Sequence, residues 1–551
     1  MKITMAQLDP VVGDIEGNIK KAEYVFDRWG KSSDLVVFPE LFVTGYPPKD
    51  LLEKPGFIAK AAAGLEKLTE CSRSYPGLGI LTGIPLLRAG MPEKGLYNSA
   101  VLISEGRLTG RVDKTLLPTY DVFDEKRYFT PADETGPIDF KGRKLGVSIC
   151  EDMWNDSDLW GGVHYSSDPV RLLVEKGASA IINISASPFY VEKEQIRYRI
   201  IRNHAEKYAV PFVFVNQVGG NDELIFDGRS VCIDGKGAAV SVFPSFSEHV
   251  ETVDIDSGGV PGLYAPQEKI ASVYDALVLG VRDYLSKCGF TKAVLGLSGG
   301  IDSALTCCIA KDALGSGNVL GIAMPSMYSQ RESLDYSARL ARNLGVELKV
   351  MPVSDIYGSY KNALKNEMPV NDEKEVEVYL QNIQARIRGN ILMAFSNKFG
   401  YLLLTTGNKS EMAVGYCTIY GDMAGGLAVI SDVPKTMVYE LSRYVNRNKE
   451  IIPRAIIDRV PTAELKPGQK DQDTLPPYDV LDKILYYYLE KHCAYEEIIR
   501  KGFDPGVIRW VINAVNKNEY KRRQAPPGLK VTTKAFGTGR RMPVAAKFPD
   551  F

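Results

Sequence analysis

The sequence has little of what would mark a nucleic-acid binder, a disulfide-stapled secreted domain or a membrane protein. Its formal net charge is −1, so it offers no electrostatic footprint to nucleic acid or to an anionic bilayer. The basic run Lys521-Arg522-Arg523 is too short to change that. The 8 cysteines form no spaced framework and no CxxC pair: Cys307 and Cys308 are adjacent and the others are scattered. That usage belongs to a reducing compartment. No apolar run approaches the roughly 18 residues needed to span a bilayer, and Met1 to Ala6 reads as a first strand, not a signal peptide. There is no internal repeat and no low-complexity tract. The expectation is a cytoplasmic protein with neither a nucleic-acid nor a membrane partner.

What the chain does have is enough length, 551 residues, for two large α/β domains. Up to about residue 255, short β-rich apolar runs (Leu35–Phe38, Gly79–Thr82, Leu145–Ile149, Ile181–Ile184, Phe212–Val215) alternate with helical stretches such as Asn18–Trp29 and Glu194–Tyr208. Apolar runs bounded by Gly and Pro suit buried strands, and the alternation predicts a layered α/β sandwich. Composition turns Gly/Pro-rich at Asp256–Gly262, which predicts a boundary: residues 1–255, a connector 256–266, and a second domain 267–551. The second domain opens with helix Gln267–Lys287, strand Ala293–Leu297, a Gly-rich loop and helix Ser303–Leu314, with later strands at Val319–Ala323 and Tyr401–Thr406. This order predicts a doubly wound parallel sheet. Pro453–Tyr478 and Pro526–Phe551 read as irregular.

Chemistry-bearing residues stand at the ends of the predicted strands. In the first half these are Glu40 in Phe38-Pro39-Glu40, Lys114 in Asp113-Lys114-Thr115, and Cys150 in Ile149-Cys150-Glu151-Asp152. A thiolate attacks an amide carbon well but needs a base to take its proton, which Glu40 can supply. It also needs a cation for the oxyanion, which Lys114 can supply with a backbone N–H beside Cys150. In the second half, Gly296-Leu297-Ser298-Gly299-Gly300-Ile301-Asp302-Ser303 follows a strand and opens a helix. Small residues let backbone N–H groups approach phosphate oxygens, Ser298 and Ser303 add hydroxyls, and the helix N-terminus adds a favourable dipole. Asp302 stands where it can hold Mg²⁺. The loop lacks the Gly-Lys-Ser/Thr ending of the Walker type.

With these motifs, and with Gln7–Asn18 and Tyr97-Asn98, residues 1–250 resemble the nitrilase, or carbon–nitrogen hydrolase, family. The resemblance implies an α-β-β-α sandwich with Glu40 as general base, Lys114 on the oxyanion and Cys150 as nucleophile. It also implies that Glu125 positions the amide and that Tyr120, Ser187 and Lys193 line a glutamine pocket. The Ser-Gly-Gly-x-Asp-Ser loop resembles that of enzymes splitting ATP into AMP and pyrophosphate, an adenine nucleotide α-hydrolase-like fold. Asn382–Asn390, Thr405–Glu411, Tyr420-Gly421-Asp422, Val433-Pro434-Lys435 and Pro461–Leu465 resemble the NAD synthetases among them. That resemblance implies ATP contacts from Thr406 and Lys435, Mg²⁺ on Asp302 and Glu411, and a deamido-NAD border from Asn382, Arg386, Glu411 and Lys521. Ile419 and Gly426 depart from it, since standalone ammonia-dependent synthetases carry Lys and Asp there.

An amide-cleaving half joined to a carboxylate-activating half implies a glutamine amidotransferase. Its substrates would be glutamine, ATP and deamido-NAD, and the resemblance implies a homo-oligomer, an octamer. Two other readings stay open: activation of a different acceptor, and an inactive N-terminal scaffold beside a synthetase fed by free ammonia.

Overall fold

The computed structural model describes residues 1–87, 95–156, 165–368 and 376–547. The chain forms two compact units, Met1–Gln267 and Glu268–Phe551.

The first unit is an α-β-β-α sandwich. One six-stranded sheet runs His249–Asp254, Lys2–Gln7, Leu35–Val37, Gly79–Leu87, Leu96–Ser104, Arg107–Asp113. The other runs Ala239–Val242, Val231–Ile233, Phe212–Asn216, Ala180–Ser185, Arg143–Ile149, Ile138–Phe140. The centre of each sheet is parallel: Leu35–Val37 between its two neighbours, and Ala180–Ser185 between its own. Side chains alternate across a strand, and the burial follows. Ile3, Leu35, Val37, Leu145, Val147, Ile182 and Val213 fill the space between the sheets. Val36, Ile80 and Val101 turn outward onto Ile15, Ile19, Val25 and Phe26 of helix Ile15–Trp29 and onto Ala61 and Leu68 of helix Pro55–Ser72. Ile181, Phe212 and Phe214 turn outward onto Val170, Leu173, Ile200 and Ile201 of the helices on the opposite face.

Helix Ile15–Trp29 starts three residues before the periodicity suggested, because Asp14 caps it by accepting the Gly17 N–H at 3.0 Å. Asn18, read as its start, is buried and bonds both backbone groups of Val11 at 2.9 Å. The Gly/Pro-rich segment after Asp254 lies on the first unit instead of hanging free. Gly259 N–H reaches Asp234 at 2.8 Å, the Tyr264 hydroxyl reaches Glu194 at 2.6 Å, and Arg229 reaches the Ala265 carbonyl at 2.6 Å.

The second unit holds a five-stranded sheet in the order Glu347–Val350, Val319–Ala323, Ala293–Gly296, Leu402–Thr405, Leu427–Ala428, every pair parallel. Read by chain position this is 3-2-1-4-5, a doubly wound sheet whose order reverses between Ala293–Gly296 and Leu402–Thr405. Ligands bind such sheets at the carboxyl ends flanking that reversal. Helices Tyr478–Leu485 and Pro505–Lys517 pack a separate apolar cluster onto Ala413 and Val414. Pro453–Tyr478 contains only short turns of helix. Beyond Pro526 the described chain to residue 547 is irregular, and 548–551 lie outside the described residues.

Candidate active sites

In the first unit, Glu40 sits just past strand Leu35–Val37, Lys114 just past Arg107–Asp113 and Cys150 just past Arg143–Ile149. One sheet therefore delivers Glu40 and Lys114 and the other Cys150, and all three are buried. Glu40 is placed by a close backbone crossing: a Cβ at Gly83 would collide with the main chain of Glu40 and Leu41. Its Oε1 accepts from Lys114 Nζ and Asn98 Nδ2, both at 2.7 Å, and its Oε2 accepts the Ala186 N–H at 2.9 Å. Three donors thus converge on this one carboxylate. Lys114 Nζ also reaches Glu125 at 2.8 Å, and Glu125 accepts the Tyr46 hydroxyl at 2.9 Å.

Cys150 takes φ 43°, a left-handed conformation that costs a residue with a Cβ about 1–3 kcal/mol and has to be held by its surroundings. Burial pushes the thiol pKa up and the Glu40 charge pushes it further, while Lys114 opposes both. Cys150 therefore rests as a thiol with both charges acting on it. Burial also raises Glu125 to about 7 against the pull of Lys114, and Asp152 to about 7 against three backbone N–H groups.

Around the thiol, the hydroxyls of Tyr120 (3.0 Å) and Tyr165 (2.8 Å) converge on the buried Glu151. Lys193 Nζ donates to the Pro188 carbonyl at 2.8 Å and faces the Trp154 and Tyr190 rings. Ser187 is fixed through its N–H to Asn216 Oδ1 at 2.9 Å. Tyr46, Asn98, Glu151, Asp152 and Tyr165 carried no assignment from sequence. Glu151 and Asp152 had the signal of adjacency to Cys150, whereas Tyr46 and Tyr165 had none.

In the second unit a cavity of about 280 Å³ lies at the sheet's reversal point. Gly296, Leu297, Ser298, Asp302, Ser303, Thr406 and Glu411 all line it. The loop is preshaped by its own hydroxyls: Ser298 Oγ and Ser303 Oγ are 3.1 Å apart, and Gly300 N–H reaches Ser298 Oγ at 3.2 Å. Gly299 has φ 80°, and a Cβ there would strike the Ser333 backbone. Gly300 precedes helix Ile301–Leu314, whose N-terminus faces the loop. Lys435, buried, bonds Asp302 and stands 3.5 Å from Glu411. Asn408 Nδ2 donates to Asp302 at 2.9 Å and, in a reciprocal cap, Asn408 and Glu411 bond each other's backbone N–H. Burial raises Glu411 to about 8, and the Asp302 charge adds to this.

Asn382, Arg386 and Lys521 are not in the cavity lining. They brace the loop behind it: Asn382 accepts the Thr418 hydroxyl at 2.8 Å, Arg386 donates to the Ile419 carbonyl at 3.2 Å, and Lys521 donates to the Gly415 and Cys417 carbonyls at 2.7 and 2.9 Å. Tyr416, Cys417, Gly421 and Asp422 of that loop do line the cavity, as does Arg388, which sequence reasoning left out. At Gly426 a side chain would have to displace Leu402, so the position has no room for an Asp as packed.

Residues 2–262 match the carbon–nitrogen hydrolase family and residues 273–525 the NAD synthase family. The glutamine-dependent NAD(+) synthetase of Synechocystis sp. is 48% identical, over 99% of both chains. The chain belongs to the glutamine-dependent NAD(+) synthetases. The Thermotoga maritima member is 42% identical over 100% of this chain and 99% of its own. Among solved structures, the Acinetobacter baumannii glutamine-dependent NAD+ synthetase in complex with ADP aligns at TM-score 0.76 and 37% identity, covering 98% of each chain. A glutamine-dependent NAD(+) synthetase from Cytophaga hutchinsonii shares the fold at TM-score 0.83 and 24% identity, covering 99% of this chain and 98% of its own. As a glutamine-dependent NAD(+) synthetase the chain is a ligase that forms NAD(+) with ATP as co-substrate.

Proposed function

We propose that the first unit releases ammonia from glutamine and that the second uses it to amidate deamido-NAD, with Glu40, Lys114 and Cys150 as the glutaminase centre. One observation carries this reading: a cysteine at a strained strand end, under the combined charge of a buried Glu40–Lys114 pair. Glu40 takes the Cys150 proton as sulfur attacks the glutamine side-chain carbonyl. The Lys114 ammonium steadies the resulting oxyanion, having been desolvated in advance. The proton then passes to the departing nitrogen, giving ammonia and a glutamyl thioester, which water hydrolyses to glutamate. Glu125 shares Lys114 with Glu40 and holds its ammonium in one place. Tyr120, Ser187 and Lys193 line the glutamine pocket.

In the second unit the reading is that ATP lies over the Ser298–Ser303 turn with Thr406 and Lys435 at its phosphates. The deamido-NAD carboxylate attacks the α-phosphorus, pyrophosphate leaves, and ammonia attacks the acyl carbon of the adenylate to give NAD and AMP. Asn382, Arg386, Glu411 and Lys521 would act on the dinucleotide, the first two and Lys521 by shaping the 415–422 loop. Mg²⁺ fits Asp302 and Glu411: both are hard oxygen donors lining one cavity, tied by Lys435. An ion on these two carboxylates would be completed by phosphate oxygens and water. When bound, Mg²⁺ would neutralise developing pyrophosphate charge. We further propose a cytoplasmic homo-oligomer. All 8 cysteines are free, as a reducing compartment requires, and light scattering on the purified protein measures the oligomeric state.

The test is Cys150→Ala. Glutamine hydrolysis and glutamine-driven NAD formation are expected to vanish, while NAD formation from added ammonia, ATP, Mg²⁺ and deamido-NAD persists. Loss of the ammonia-driven reaction as well, or survival of glutamine hydrolysis, would overturn the assignment.

A further inference from the structure

Lys114 and Cys150 come from strands in different sheets, yet their backbones share one carboxylate. Asp152, buried, accepts the N–H groups of Thr115 and Leu116 on Oδ1 at 3.0 and 2.8 Å. Those are the two residues that follow Lys114. Its Oδ2 accepts the Ile149 N–H at 3.0 Å, on the residue that precedes Cys150. Asp152 also lies in the short turn Cys150–Met153, so its own backbone belongs to the element that carries the thiol.

We propose that Asp152 is a positioning residue for amide cleavage, a clamp that sets where the Lys114 ammonium stands relative to the Cys150 sulfur. The inference rests on reading Cys150, Lys114 and Glu40 as the glutaminase centre. Its physical basis is the chemistry of the three donors. Backbone N–H groups from both segments converge on one side chain, and only a group with acceptors on both ends satisfies them all. A Lys side chain reaches its partners through four rotatable bonds. Its charge alone therefore does not fix its main chain, whereas two hydrogen bonds immediately downstream do. At the other end, the Ile149 N–H bond closes the turn in which Cys150 holds φ 43°. Without that bond the strained conformation has one support fewer and the sulfur has another direction available. Glu151, between the two residues, points elsewhere, to Tyr120 and Tyr165.

Asp152→Asn keeps the size but turns an amide NH2 toward one set of donors, which breaks one side of the clamp. The expected result is a fall in kcat for glutamine hydrolysis on the order of 100-fold, as for about an ångström of misplacement, with KM for glutamine little changed. Alkylation of Cys150 by iodoacetamide should slow and its pH profile should move, while ammonia-driven NAD formation stays at the wild-type rate. Asp152→Glu keeps the charge but carries the acceptors one methylene too far, and should lose kcat in the same direction. Wild-type kcat in folded Asp152→Asn, or a loss confined to KM, overturns the clamp. If neither variant folds, amide exchange on the wild-type protein decides. The Thr115, Leu116 and Ile149 amides should open together, and independent opening overturns the proposal. Cys150→Ala, run alongside, separates the two failures. Hydrolysis surviving that change sinks the site assignment itself, whereas hydrolysis lost there but normal in Asp152→Asn sinks only the clamp.

Discussion

Lys114 shows what a buried charge does in this protein. Its ammonium is withdrawn from water between Glu40 and Glu125, both also buried. Removing one partner of such a cluster leaves like charges uncompensated in a low dielectric and typically costs about 3–5 kcal/mol. Lys114→Met is therefore expected to destabilise the first unit by about that amount in denaturant titration and to abolish glutamine hydrolysis. Lys114→Met with wild-type stability would mean that this buried cluster does not depend on the ammonium.

Glu125 gives a pH signature of its own. Its folded-state pKa, about 7, lies above the ordinary carboxyl value of 4.5 because burial disfavours its charged form. Below pH 4.5 it is protonated folded or unfolded, and its contribution to stability is fully present. Between 4.5 and 7 the unfolded chain ionises first, so that contribution is lost as pH rises through the folded pKa. Relative to Glu125→Gln, wild-type melting temperature should decline across this window and run parallel above it. Parallel curves throughout would refute the shift.

At the scale of elements, both sites are built on strand ends held by close backbone packing, and Gly299 is the sharpest case. Its φ of 80° and the absence of room beside Ser333 both exclude a side chain. Gly299→Ala should distort the Ser298–Ser303 turn, at a conformational cost of about 1 kcal/mol or more. It should raise KM for ATP in the ammonia-driven reaction and leave glutamine hydrolysis alone. A second element acts from outside the sheet. The irregular chain after Pro526 seats Thr532 on Asp432 through its N–H and hydroxyl, at 2.7 and 2.8 Å, and on Lys409 Nζ at 2.6 Å. Lys409 adjoins Asn408, which bonds Asp302, and Asp432 lies three residues before Lys435. Thr532→Val strips a buried cation of one acceptor, at about 1–3 kcal/mol, and should lower the thermal stability of the second unit. An unchanged melting profile would count against this bracing role.

On the scale of the whole molecule, two compact units each carry a complete set of polar groups, with separate cores. Glu411→Gln is accordingly expected to abolish NAD formation from either nitrogen source while glutamine hydrolysis continues. Full-length kinship with glutamine-dependent NAD(+) synthetases settles the acceptor question that the ATP-splitting loop left open. The Glu40–Lys114–Glu125 network is intact, as the proposed glutaminase centre requires.

Much of this was legible in the residue order because the signals are local. A thiol and a carboxylate each follow an apolar run, a Ser-Gly-Gly-x-Asp-Ser turn follows another, and the apolar runs bounded by Gly and Pro name buried strands. Local order also determined that the second sheet would be parallel, since each strand is separated from the next by a helix. What only the tertiary structure decided are relations across long sequence gaps. Asp152 bonds residues 36 and 37 positions upstream, Lys435 meets Asp302 across 133, and Asn382, Arg386 and Lys521 support a loop instead of facing the cavity. Sequence spacing fixes which side of a strand or helix a residue occupies. Which distant backbone donor a buried carboxylate meets depends on how the sheets stack, and packing alone sets that.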